Sequence, residues 1–140
     1  QIDELGLIES PIMLTNTLSG PEASAAAIDY MLDNTPEIGD GTGTINTVTG
    51  ECNDMGLNSI RLRQITKEQA REAIESASCG VSLVGAFGAA KGMCCFGHYG
   101  GLGRLSRIVW LGAHSFTSGR VVLSKFGWKE VLRYHKFFLV

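Results

Sequence analysis

Eight of the twenty-four residues from Gly80 to Gly103 are glycine, in GVSLVGAFGAAKGMCCFGHYGGLG, and this segment constrains the fold more than any other part of the chain. A helix through it would cost about 1 kcal/mol for each interior glycine relative to alanine. The segment therefore reads as strand and loop, or as backbone packed closely against a neighbour. Amides freed of side chains also invite a phosphate-cradle reading. The detail is against it, because a Walker loop has Gly before its Lys and Ser or Thr after it, whereas Ala90 precedes Lys91 and Gly92 follows. Gly101-x-Gly103 likewise runs on to Ser106, which leaves a dinucleotide fingerprint incomplete.

The flanking sequence has more regular periodicities. Around Pro11 the run LGLIESPIMLTNTL is apolar and β-branched, and the missing amide donor of proline places the start of a strand there, over 12–17. Ser19-Gly20-Pro21 supplies a cap and a proline with helix-compatible φ. EASAAAIDYMLD then predicts a helix with Ala27, Ile28, Met31 and Leu32 as its apolar stripe. Asn34, Pro36, Gly39, Gly41 and Gly43 end that helix and open a loop. TGTINTVTGE alternates threonine with apolar residues, which predicts a half-buried strand near 44–50, and ECNDMGLNSI reads as loop. Thr66 with Gln69 three positions on forms a capping box before the helix former QAREAIESA, where Arg71 and Glu75 sit four apart. Towards the end SRIVWLG and GRVVLSKFG read as two strands with a turn between them, followed by the mixed apolar and basic WKEVLRYHKFFLV.

Residues 1–60 carry ten Asp and Glu without a Lys or Arg, while 61–140 carry four acids and twelve bases. A basic half of this kind is compatible with phosphate or nucleic-acid binding, and equally with an acidic partner in the same chain. No run reaches the 18 or so apolar residues of a spanning helix and no secretory leader opens the chain, so the expectation is a soluble cytoplasmic protein without a membrane partner. Cys52, Cys79, Cys94 and Cys95 lack zinc spacing and read as reduced thiols. His98, His114 and His135 show no nucleophile-base-acid spacing. Glu51 and Asp54, with Asn53 and Asn58, could line a polar pocket or be solvated loop. These pieces alone support an α/β domain with an undefined site.

Taken in order, LTNT, PEIG, the Glu51-Cys52-Asn53-Asp54 segment and GMCCFGHYGGLGRLSR, together with TKEQAREAIESA and FTSGRVVLSKFGWKEVLR, resemble the DmpA-type aminopeptidase family. That family includes L-aminopeptidase/D-esterases and β-peptidyl aminopeptidases, and the resemblance runs from about Leu5 to Arg133. It implies an α/β (α+β) fold, a partial N-terminal-nucleophile-hydrolase-like αββα sandwich. It further implies a precursor that cleaves itself before a serine, which then begins a second polypeptide and attacks peptides, amides or esters. The expected partners are a peptide or amide substrate, that second polypeptide and further copies of the same assembly, with no nucleic acid. The mechanism takes no cofactor and no metal.

Carried over by position, the resemblance makes 1–140 a single partial domain, an internal part of the pre-cleavage chain truncated at both ends. The nucleophile lies beyond its last residues, so no catalytic residue is assigned. Asn16, Thr17, Glu51, Asn53, Asp54 and Asn58 keep family identity as candidates for the substrate pocket, with Gly85, Gly88 and Gly92 permitting close backbone approach. Two positions depart from it. Ala86 stands where an oxyanion-donating Asn is expected, and Gly56 where an aromatic, usually Tyr, is expected. Losing one oxyanion donor removes roughly 2.7–4 kcal/mol of transition-state stabilisation. Ser59, Val84 and Leu62 replace an Asp, a Glu and a Gly in the same way. The alternative implied is a non-catalytic assembly or interaction subunit of the same fold.

Overall fold

The structure is a computed structural model that describes residues 2–134 and 137–138. Residues 1–53 and 59–79 form one compact unit, and 54–58 with 80–140 form a second. His135 and the last two residues of the apolar FFLV end lie outside the described residues.

The first unit opens on the short helix α1 (Ile2–Leu5) and strand β1 (Ile12–Asn16). A 3-10 turn over Thr17–Ser19 leads into α2 (Gly20–Asn34), after which β2 (Val48–Cys52) lies parallel to β1. Thr17 thus leaves the predicted strand for the turn. The register, Ile12 against Val48 through Asn16 against Cys52, also moves the strand expected at 44–50 towards the C-terminus. The reason is Pro11: pairing begins only after it, so 44–47 has no ladder to join and Glu51 and Cys52 do. The result is a β-α-β unit with α2 as crossover, tied to β2 by the 2.8 Å hydrogen bond between Ser24 Oγ and Thr49 Oγ1.

The face of α2 that is buried differs from the expected stripe. Ala23, Ala26 and Ala27 are inaccessible, whereas Ile28 and Leu32 are exposed. Ala23 and Ala26 pack with Ala70 and Met13, because α3 (Lys67–Glu75) approaches α2 along a line of small side chains. Salt bridges Lys67–Asp29 (2.7 Å) and Arg71–Asp33 (2.5 Å) border this contact, and Arg71 also holds Glu75 at 2.7 Å. The capping box is formed as the sequence predicts: Gln69 N–H donates to Thr66 Oγ1 (3.3 Å) and Thr66 N–H to Gln69 Oε1 (3.0 Å). Its first-turn acid, Glu68, is held below the usual carboxylate range by its own backbone amide and then by the Thr66 hydroxyl. A depressed carboxyl stabilises the fold above its unfolded pKa and loses that contribution as pH falls through the folded value. Thr66→Ala removes the N-cap acceptor of the Gln69 N–H and is expected to cost the first unit about 1 kcal/mol, read as a lower midpoint of the helical far-ultraviolet signal.

The second unit contains the glycine-rich segment, which is strand and loop as expected. A 3-10 turn over Gly88–Ala90 precedes the two-residue pair β3 (Cys94–Cys95) and β4 (His98–Tyr99). A long hairpin follows, β5 (Leu102–Leu111) against β6 (His114–Leu123). Its turn is Gly112-Ala113, with Gly112 at φ +63°, the II′ arrangement that matches strand twist. β5 is longer than the expected SRIVWLG, and β6 is shifted from the expected 119–127: it starts at His114 and stops at Leu123, leaving 124–127 outside the strand, because the ladder runs from the tight turn to the Leu102–Leu123 pair. β7 (Arg133–Tyr134) and β8 (Phe137–Phe138) form a last small pair. All four cysteines are free thiols. Among the described residues no helix is long and apolar enough to cross a membrane.

Candidate functional site

In a β-α-β unit the carboxyl ends of the parallel strands and the N-terminus of the crossover helix meet at one edge, which is where such sheets place ligands. In the first unit that edge gathers four of the positions singled out by sequence. Asn16 ends β1 and accepts the Ser19 N–H on its Oδ1 (3.0 Å), so it fixes the turn that carries Thr17. Glu51 pairs with Thr15 in the ladder, and Asn53 follows β2 directly. A Cβ placed on Gly20 would stand 3.2 Å from Glu51 Oε2, so the exposed carboxylate lies against the first residue of α2. The positive end of the helix favours a negative group there.

Ser19 and Gly20 belong to this edge, and sequence reasoning assigned them only to helix capping. Ser19 is the N-cap residue, but its side chain makes no cap bond, and its buried Oγ has no hydrogen-bond partner among the described residues. Asn16 supplies the capping acceptor one turn earlier. The signal was present in the Asn-Thr-Leu-Ser-Gly-Pro order, where two capping residues compete for one helix start.

The second unit holds the remaining candidates. Asp54, 3% exposed, accepts the side-chain amide of Asn58 on Oδ2 at 2.8 Å, and its carbonyl accepts the Leu57 and Asn58 N–H groups. Gly92, at φ +83°, presses against this pair: a Cβ there would come within 3.3 Å of Asp54 Cβ and 3.4 Å of Asn58 Cβ. Asp54, Asn58 and Gly92 are therefore one packed cluster. Gly85 is separate from it and exchanges two backbone hydrogen bonds with Leu102, at 2.8 and 2.9 Å. Gly88, at φ +51°, starts the 3-10 turn.

The two departures from family identity are both sterically open. Gly56 has nothing within 4 Å of the position of a Cβ, so crowding does not explain the missing aromatic. Ala86 is exposed at the tip of a three-residue turn closed by the Phe87 N–H to the Gly85 carbonyl (2.8 Å).

This ordered architecture has close counterparts. A profile of peptidase family S58 matches residues 1–139. Beta-peptidyl aminopeptidase BapA of Sphingosinicella microcystinivorans is 33% identical over 132 residues, 94% of this chain and 32% of that protein. A Pyrococcus horikoshii protein of solved structure superposes with a TM-score of 0.87 at 45% identity, over 93% of this chain and 36% of its own. The Ochrobactrum anthropi L-aminopeptidase D-Ala-esterase/amidase, a serine aminopeptidase prototype with a variant Ntn hydrolase fold, superposes with a TM-score of 0.78 at 32% identity. That match covers 84% of this chain and 33% of the other. The fold class is accordingly the α/β, N-terminal-nucleophile-hydrolase-like one expected from sequence, and the chain spans about a third of the length of these relatives.

Proposed function

Because this chain belongs to peptidase family S58, the DmpA-type aminopeptidases, we propose that it forms part of a serine aminopeptidase that releases N-terminal residues from peptides, amides or esters. The ordered match along residues 1–139 carries the reading. In this mechanism a precursor cleaves itself before a serine, and the freed α-amino group of that serine takes the proton from its own hydroxyl as the oxygen attacks the scissile carbonyl. The acyl-serine formed by loss of the amine is then hydrolysed by water. Donors around the developing oxyanion set the rate of both steps. The edge formed by Asn16, Thr17, Glu51 and Asn53 in the first unit, and separately the cluster of Asp54, Asn58 and Gly92 in the second, are each candidates to contact substrate in this reading, and neither supplies the nucleophile.

These 140 residues by themselves are then inactive, and activity requires the serine-initiated polypeptide and assembly into a homo-oligomer. The second reading, a non-catalytic assembly subunit, is favoured by Ala86 and Gly56, where the side chains that would orient substrate and bind the oxyanion are missing although there is room for them. Intact-mass analysis of the expressed product, read beside its full-length message, decides which polypeptides exist, and hydrolysis of an L-alanyl nitroanilide decides what they do. Turnover by a preparation containing a chain that begins with serine is the expected result. Absence of turnover in such a preparation would favour the assembly subunit, and turnover by the 140 residues alone would overturn the proposed division of labour.

A further inference from the structure

Arg63 is held in a backbone conformation that its residue type disfavours. It ends the 3-10 turn of Ile60–Leu62 at φ +45° and ψ +52°, and among the described residues Arg63 and Phe96 are the only non-glycines with positive φ. A left-handed backbone crowds the Cβ of an L-residue against the adjacent carbonyl, so glycine is the usual occupant and another residue persists only where its surroundings hold it. Here the side chain supplies that hold. Its Nε–H donates to the Leu18 carbonyl at 3.2 Å, and Nη2 meets Glu22 Oε1 at 2.7 Å. Leu18 is the middle residue of the Thr17–Ser19 turn and Glu22 lies in the first turn of α2, so one guanidinium spans the junction between them.

Helix stability does not account for this arrangement. A cation beside the start of α2 sits at the unfavourable pole of the helix dipole. The ion pair with Glu22 is also open to solvent, with 51% and 35% of the two side chains accessible, and a pair so exposed stabilises little. What the guanidinium fixes is position. Asn16 Oδ1 holds the Ser19 N–H from within the turn, and Arg63 holds the carbonyl of the preceding residue from outside it. The turn clamped in this way carries Thr17 directly after Asn16, and it ends at Gly20, against which the Glu51 carboxylate lies.

We propose that Arg63 is a positioning residue for the substrate edge: its guanidinium, bonded to the Leu18 carbonyl and braced by Glu22, fixes the Thr17–Ser19 turn where Asn16 and Thr17 meet substrate. It acts through the backbone of that turn and touches no substrate atom. This role rests on the aminopeptidase reading for its substrate and on the geometry of the first unit for the clamp. Lysine is no replacement, because its compact ammonium lacks the planar fork that reaches a carbonyl and a carboxylate together.

The test compares Arg63→Gly and Arg63→Lys with the unaltered protein as expressed. Glycine removes the side chain while relieving the left-handed backbone, so the unfolding midpoint of the helical signal should hold. The Ser19 and Gly20 amides, which donate to Asn16 Oδ1 and to the Thr17 carbonyl, should exchange with deuterium about tenfold faster in both variants. The Gln69 and Ala70 amides of α3 should exchange as before. With an L-alanyl nitroanilide, KM should rise about tenfold at a nearly unchanged kcat, and ethylguanidinium added to Arg63→Gly should lower it again. If Arg63→Gly does not fold, Arg63→Lys supplies both readouts. Unchanged exchange at Ser19 and Gly20, faster exchange spread over every amide of the first unit, or turnover with KM unmoved would each overturn the proposal. No turnover by the unaltered protein would sink the aminopeptidase reading and this role with it, and exchange then separates the two failures: faster exchange locates the fault in the activity, unchanged exchange in the clamp.

Discussion

Gly100→Ala is expected to unfold the second unit at denaturant concentrations that leave the first intact. Gly100 stands where three backbone segments converge. Its N–H donates to the Met93 carbonyl at 2.7 Å, and a Cβ added to it would overlap the Ser124 carbonyl oxygen and press on both Met93 Cβ and Met93 O at 3.2 Å. Two of those three obstacles are backbone atoms, which cannot rotate away. Relief would require drawing apart the base of the β5–β6 hairpin, where Ser124 N–H donates to the Gly101 carbonyl at 3.0 Å, and unseating Met93, 1% exposed. Overpacking of this severity costs about 3 kcal/mol or more.

Gly103 is the matched control. It lies three residues further on, in β5, has nothing within 4 Å of a Cβ, and should tolerate alanine within about 0.5 kcal/mol. The experiment reads itself by unit, because both tryptophans, Trp110 and Trp128, lie in the second one while α2 and α3 lie in the first. Urea titration followed by tryptophan emission should show a lowered midpoint for Gly100→Ala, with the helical signal unmoved. An unshifted emission midpoint would mean that the close approach of residues 93, 100 and 124 is absent in solution.

That prediction also shows which parts of this fold could be read from sequence. The glycine density of 80–103 excluded a helix on energetic grounds alone, and the capping box at Thr66 is a local rule that needs no tertiary partner. What sequence misplaced depended on partners distant in the chain. The limits of β2 follow from where β1 can begin after Pro11, and the buried face of α2 follows from how closely Ala70 of α3 approaches. A hydropathy stripe favours Ile28 and Leu32, but a close helix-helix approach selects alanines. The hairpin and its turn were legible, but the turn was expected over 113–118 instead of at Gly112-Ala113, because His114–Ser118 join the ladder through their cross-strand partners. The candidate site was legible as a set of residue identities and only in part as geometry. Gly92 could be named from its place in the motif, but its contact with Asp54 and Asn58 exists only once the chain has folded.

Ala86→Asn is expected to raise kcat by roughly 10²–10³-fold in a preparation that pairs this chain with a serine-initiated polypeptide. Residue 86 is carried on a tightly bonded turn. Both backbone groups of Gly85 are bonded to Leu102, the Phe87 N–H closes the turn onto the Gly85 carbonyl, and Ala86 is exposed. A side-chain amide grown from its methyl would be a preorganised donor, and a donor aimed at developing charge lowers the barrier without tightening the ground state. The gain should therefore appear in kcat for an aminoacyl nitroanilide, with KM nearly unchanged. Ala86→Asp separates donation from shape, because an ionised carboxylate of almost the same size accepts hydrogen bonds and cannot give one. It should leave kcat at or below its starting value. Since residue 86 is exposed, neither substitution is expected to move the unfolding midpoint by more than about 0.5 kcal/mol, so a change in rate cannot be a change in folded fraction. If Asn and Asp leave kcat equally unmoved, the oxyanion is stabilised from elsewhere in the assembly, and the loss at this position has already been compensated.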